Sequence, residues 1–258
     1  MIKIFGVGNS FTEDAFTWLS QIAAADGIEI MTVCPFVGGC TFKRHIDKIE
    51  SSSDEYDLIL NGKNTGKKVT FDQALLMENW DIVTFNQGSV QAGRPSTYVP
   101  FLNDLKEHIL NYSPNAKSYI YQTWAYESDA KHPYYHVYNN SQKDMWTRTR
   151  DCYHMASRLI DAPTIPVGEV IQYLRENVTE FDYQNGGMSL NRDGYHLTEI
   201  YGRYAAGLTY YYTIFKNDIF KNDFLPEYNG EKADPSIIEK IKKAVYEVVN
   251  NRLEENDD

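Results

Sequence analysis

Ile2-Lys3-Ile4-Phe5-Gly6-Val7-Gly8-Asn9-Ser10-Phe11-Thr12-Glu13-Asp14 is the stretch that decides how this chain folds. Residues 2–7 read as a buried strand. Gly6 and Gly8 let the backbone bend sharply after it. Thr12 is then placed to cap a helix, with Glu13 and Asp14 in the first turn, where the helix dipole favours acids. Trp18, Leu19, Ile22 and Ala23 mark the apolar face of that helix, and Gly27 ends it. A second strand follows at residues 28–33. Strand, tight turn, helix and strand is how a parallel α/β sheet begins.

The same rhythm continues along the chain. A loop at Pro35–Gly39 leads to a helix over residues 42–50. Residues 56–71 break the pattern: Tyr56-Asp57-Leu58-Ile59-Leu60 alternates, Asn64-Thr65-Gly66 turns, and Lys68-Val69-Thr70-Phe71 returns, which predicts an inserted β-hairpin. That hairpin could serve as a lid or a dimer contact. Strands are expected at residues 81–86 and 118–122 and, briefly, between Pro163 and Pro166. Helices are expected at residues 99–112, 141–160, 168–177 and 198–215, the last capped by Thr198. An amphipathic helix over about 235–254 carries Ile237, Ile238, Ile241, Ala244, Val245, Val248 and Val249 at helical spacing. The expected fold is a three-layer α/β/α sandwich around a central parallel sheet, flavodoxin-like, with residues 1–258 forming one domain.

The bulk properties narrow the function. A net charge of −11 disfavours sequence-independent nucleic-acid binding, which needs Lys and Arg against phosphate, and it disfavours anionic membranes as well. No apolar stretch approaches the roughly 20 residues that span a bilayer. Cys34, Cys40 and Cys152 are few and odd in number, which suits reduced thiols. The chain opens directly on strand one, so a cytoplasmic location is expected, with a secreted or periplasmic protein lacking its leader as the alternative. The oligomeric state is not legible. The 20 Tyr residues fill core and surface, and their polar tips also suit sugar-lined clefts.

Two short segments carry possible chemistry. Ser10 follows the first strand, where free backbone N–H groups can hold an oxyanion. Alternatives from this segment alone are an ordinary capping serine, or a dinucleotide fingerprint that lacks its third glycine because Phe11 stands there. Near the other end lies Asp193-Gly194-Tyr195-His196-Leu197. An Asp three residues before a His can hold Nδ1 and leave Nε2 free as a base, and it can equally be a turn before a helix. A serine hydroxyl becomes a good nucleophile only when such an imidazole takes its proton. His132-Pro133-Tyr134-Tyr135-His136 suggests a metal pair, but Pro133 is poorly placed for a helix and no third ligand is near, so no metal is expected. Cys152 reads as buried in a long helix, His45 and His108 as helix-face residues, and Tyr210-Tyr211-Tyr212 as packing.

Gly8-Asn9-Ser10-Phe11 and Asp193-Gly194-Tyr195-His196-Leu197 together resemble the SGNH/GDSL hydrolase superfamily. Gly38-Gly39-Cys40-Thr41 and Asn86-Gln87-Gly88-Ser89 make the chain similar, more narrowly, to the uncharacterised branch that opens with Gly-Asn-Ser-Phe. The likeness extends over about residues 2–250. It implies a serine esterase with Ser10 as nucleophile, His196 as base and Asp193 as its orienter, and with no cofactor. It implies oxyanion donors at the Ser10 and Gly39 N–H groups. The superfamily's usual Gly-x-Asn block is missing, and Gln87 is the expected substitute for its asparagine, with Asn86 as competitor. Trp124 ends the fourth parallel strand on the Ser10 edge, where it either floors the substrate pocket or packs in the core. The relatives this chain resembles act on acylated carbohydrates, so a small acyl group on a sugar is the expected substrate. A non-catalytic carbohydrate-binding protein and an acyltransferase with the same triad are the alternatives.

Overall fold

The computed structural model describes residues 1–256. In chain order the elements begin with β1 (Ile2–Val7), α1 (Ser10–Phe16), α2 (Leu19–Ala25), β2 (Ile30–Phe36) and α3 (Phe42–Glu50). β3 (Tyr56–Leu60), β4 (Lys63–Val69), α4 (Phe71–Leu75), β5 (Ile82–Phe85), α5 (Phe101–Tyr112) and β6 (Lys117–Tyr121) follow. The remainder is α6 (Gln142–Leu159), β7 (Thr164–Ile165), α7 (Val167–Asn177), α8 (Tyr201–Phe215), the small ribbon β8 (Glu227–Tyr228) and β9 (Glu231–Lys232), and α9 (Pro235–Asn256).

Among the described residues the main sheet has seven strands in the order β4-β3-β2-β1-β5-β6-β7. From β2 to β7 all neighbours run parallel. β3 and β4 add an antiparallel pair to the β2 edge, so the expected hairpin is present and extends the sheet. Its turn is not at residues 64–66. Asn61 and Gly62 both take positive φ, the two-residue turn that matches strand twist, and the return strand starts at Lys63. A side chain at Gly62 would meet the backbone of Phe16 and Thr17 at 2.6–2.9 Å, so only glycine fits there. Asn64 to Gly66 instead lie within β4, opposite a register shift between Asp57 and Ile59.

Alternation along the strands builds two cores. Ile4, Cys34 and Ile82 face one side, under α1, α2, α7, α8 and α9. Phe5, Val33 and Val83 face the other, under α3, α4, α5 and part of α6. Each such aliphatic or aromatic side chain, fully buried, contributes about 1.5–3 kcal/mol. α9 buries Ile238, Ile241, Val245 and Val249 against α7 and α8. All three cysteines are free and buried. No helix among the described residues is long and apolar enough to cross a membrane.

The first helix starts earlier than its sequence suggests. Asn9 is the cap, its side chain accepting from Phe11 N–H, and Ser10 is the first helical residue. Thr12 is buried and donates its hydroxyl to Asn86 Oδ1 at 2.5 Å. The helix also breaks after Phe16. Trp18 stands at the cap of α2, packed against the core, and its indole N–H donates to Glu199 O. Parallel order puts the loops after β1, β2, β5 and β6 on one edge of the sheet, where sites on such folds collect.

Candidate active site

Ser10 stands at the carboxyl end of β1, half-buried at the start of α1. The sharp approach is possible because residue 8 is glycine: a Cβ there would lie 1.9 Å from Asn86 Oδ1. Asn9 ties three loops together, its side-chain amide donating to Cys40 O at 3.1 Å and Gln87 O at 3.3 Å. The loops after β1, β2 and β5 therefore meet around Ser10.

Ser10 and His196, 186 positions apart in the chain, are joined by one hydrogen bond, Ser10 Oγ to His196 Nε2 at 2.8 Å. His196 Nδ1 lies 2.7 Å from Asp193 Oδ2. The other oxygen, Asp193 Oδ1, accepts from the backbone N–H groups of Tyr195 at 3.1 Å and His196 at 2.7 Å. Partial burial pushes the Asp193 carboxyl up, but the His196 ring and these backbone donors outweigh it and hold the pKa below its ordinary value. An ionised Asp193 accepts Nδ1–H and leaves the Nε2 lone pair facing the Ser10 hydroxyl, the tautomer that proton abstraction needs. The N–H groups of Ser10 and Gly39 make no hydrogen bond within the described residues. Gly38 and Gly39 are exposed.

A family model described as a domain of unknown function, DUF4886, matches residues 3–246. The chain belongs to the DUF4886 family. A DUF4886 protein from Bacteroides uniformis has a crystal structure with a TM-score of 0.86 at 29% identity, covering 96% of this chain and 94% of that one. A lipase/acylhydrolase from Enterococcus faecalis matches with a TM-score of 0.54 at 15% identity, over 81% of this chain and 93% of that one. A variant of an acetyl-xylooligosaccharide esterase from Geobacillus Stearmophilus matches with a TM-score of 0.50 at 9% identity, over 86% and 94%. The DUF4886 chain thus has the SGNH/GDSL hydrolase fold expected of it. Comparison with curated proteins gave no match.

Two expected site residues of this DUF4886 chain are turned inward. Gln87 is fully buried, and its amide nitrogen donates to Thr97 O at 2.9 Å and Thr97 Oγ1 at 3.2 Å. Its oxygen accepts from Phe42 N–H at 3.0 Å and Gly88 N–H at 2.9 Å. Gln87 therefore braces the loop and has no donor left for an oxyanion. The competitor, Asn86, is buried: its oxygen takes the Thr12 hydroxyl, and its nitrogen gives one of its two hydrogens to Gln87 O at 3.4 Å. Trp124 is also fully buried, so it does not floor a pocket. It stacks on Phe11 at 4.1 Å and donates its indole N–H to Tyr195 O at 2.8 Å, bracing the turn that carries His196.

Sequence reasoning missed Asp14. It is buried and accepts from Leu197 N–H at 2.9 Å, Arg192 at 3.0 Å and Arg203 at 2.8 Å. One turn beyond Ser10 on α1, it clamps the residue next to His196. The one available signal was an acid in the first turn of the serine helix, which the helix dipole explains equally well. His45, read as a helix-face residue, is buried too. Its ring bridges Gly8 O at 2.9 Å and the Tyr56 hydroxyl at 2.9 Å, steadying the backbone just before Ser10. His132 and His136 do not converge, and among the described residues no three His, Cys, Asp or Glu side chains are arranged to hold a metal.

Proposed function

We propose that this protein is a serine esterase that removes a small acyl group, such as acetyl, from a carbohydrate. The observation that carries this reading is the unbroken hydrogen-bond chain from Ser10 Oγ through His196 to Asp193, at 2.8 and 2.7 Å. Ser10 Oγ attacks the ester carbonyl carbon while its proton passes to His196 Nε2. The imidazolium forms against Asp193, which stays ionised and steadies it. The carbonyl oxygen becomes an oxyanion, held by the N–H groups of Ser10 and Gly39. Collapse of this intermediate breaks the C–O bond, and the departing alcohol takes the proton from His196. Water then attacks the acyl-enzyme by the same relay and frees the acid. No step calls for a metal or organic cofactor.

The sugar preference is supported by the fold shared with an acetyl-xylooligosaccharide esterase. The experiment is turnover of acetylated sugars and simple acetate esters by the purified chain beside Ser10→Ala. Ser10→Ala is expected to lose turnover by at least about a thousandfold, and a fluorophosphonate probe should label the parent protein and not the variant. No labelling of the parent would leave the non-catalytic carbohydrate-binding alternative standing. Acyl transfer to an added sugar that outruns hydrolysis would mark an acyltransferase instead.

A further inference from the structure

The segment His132-Pro133-Tyr134-Tyr135-His136 holds no metal pair, yet it is not idle. The turn after β6 brings it against the His196 side of Ser10. The Tyr195 ring lies 4.5 Å from that of His196, and the His132 ring meets Tyr195 edge-on at 5.0 Å. Tyr126 closes the group, 4.9 Å from His132 and 5.6 Å from Tyr195. Tyr134 stands beside His132 at 6.0 Å with 58% of its surface exposed. An aromatic wall thus runs from the proposed base out to solvent. It is fixed to the base as well, because Glu127 N–H donates to Gly194 O at 2.7 Å and Trp124 donates to Tyr195 O.

We propose that this wall is the subsite for the alcohol half of the ester, and that the half it takes is a pyranose ring. The proposal rests on the esterase reading and deepens it. Its position follows from the chemistry: His196 must hand its proton to the departing alcohol oxygen, so the body of that alcohol lies over the neighbours of His196. The oxyanion donors, Ser10 and Gly39, belong to the loops after β1 and β2.

The occupant follows from the mixture of surfaces. A pyranose has apolar C–H faces that pack on aromatic rings and a rim of hydroxyls that need partners. The wall offers both. His132 Nδ1 accepts from Tyr134 N–H at 3.3 Å, which puts the ring hydrogen on Nε2, where no acceptor takes it among the described residues. Burial and the nearby His196 lower the His132 pKa, which favours this neutral form. The Tyr126 and Ser89 hydroxyls are 2.7 Å apart. Tyr126 is buried and Ser89 half-buried, either hydroxyl can donate to the other, and the more accessible Ser89 oxygen is a polar partner for a sugar hydroxyl. An alkyl alcohol would gain nothing from these polar groups.

The test compares kcat/KM for an acetylated xylooligosaccharide, octyl acetate and vinyl acetate. The variants are Tyr134→Ala, Tyr134→Phe, His132→Ala and His132→Gln. Fluorophosphonate labelling of Ser10 checks that each variant keeps an intact relay. Tyr134→Ala and His132→Ala should each lower the ratio of sugar acetate to vinyl acetate by about tenfold or more. Tyr134→Phe, which keeps the ring, and His132→Gln, which keeps a donor, should restore most of it. Ratios that stay at the parent value in both alanine variants overturn the subsite. So does an equal loss on octyl acetate, which would make the wall a general apolar patch. A parent protein that turns over vinyl acetate and no sugar ester also overturns the subsite but leaves the esterase standing. One that turns over no ester at all, and does not label, defeats the esterase reading itself.

Discussion

Asp14→Asn is the sharpest test of how the base is held in place. The carboxylate is 1% exposed and gives one oxygen to Arg192 and Arg203, at 3.0 and 2.8 Å, and the other to Leu197 N–H, at 2.9 Å. Asparagine has nearly the same shape but one acceptor and one donor. However its amide is turned, an NH2 group faces either the Leu197 N–H or the two guanidinium groups. Removing one member of a buried ion pair typically costs about 3–5 kcal/mol. Arg192 and Arg203 keep 29% and 16% of their side-chain surface in water, and Arg192 also has Glu199 at 3.5 Å. That access reduces the expected loss to about 2–4 kcal/mol. Activity should fall further than stability implies. Leu197 follows His196 directly, and a shift of about 1 Å in a reacting group can cost about a hundredfold in rate. Urea unfolding reads the first effect, and the rate of fluorophosphonate labelling at Ser10, measured well below the unfolding midpoint, reads the second. The clamp argument fails if the variant unfolds within about 0.5 kcal/mol of the parent, the scatter of a surface change, and labels at the parent rate.

Acidification should weaken the fold through His45. Burial holds its pKa down at about 4, against the ordinary 6.5. The unfolded chain takes up this proton first, so the contribution is fully present above pH 6.5 and is lost as pH falls towards 4. The whole loss is about 3 kcal/mol, of which about 2 has gone by pH 5. Urea midpoints from pH 7.5 down to pH 5 should therefore fall more steeply for the parent than for His45→Gln, and parallel slopes would count against the buried neutral imidazole. Gln87→Ala separates its two possible roles. As a brace it leaves Phe42 and Gly88 N–H groups unpaired and should lower stability by about 2–4 kcal/mol. An oxyanion donor would instead show about a hundredfold loss of kcat at an unchanged urea midpoint.

Much of the molecule is local and so was legible in the chain. Apolar runs of strand length, glycine turns and helical spacing are set by nearest neighbours. They gave the βα order, the parallel sheet, the inserted hairpin and the amphipathic α9. Ser10 and His196 were each recognisable from a few adjacent residues. What failed was finer and still local, where two signals of one kind competed. Asn61-Gly62 took the hairpin turn from Asn64–Gly66, and Asn9 took the helix cap from Thr12.

The sequence by itself determined the alternation of strands and helices, and which side chains carry reactive groups. Only the tertiary structure decided which of those groups are free to react. Gln87, Asn86 and Trp124 have the right chemistry at the right edge of the sheet, but packing buries them and brings partners to them from residues 97, 12 and 195. Asp14 is the converse case, a residue unremarkable in its own helix that binds a loop 183 residues away. A donor or acceptor has few bonds to give, and a contact between distant segments, invisible in any local pattern, settles where they go.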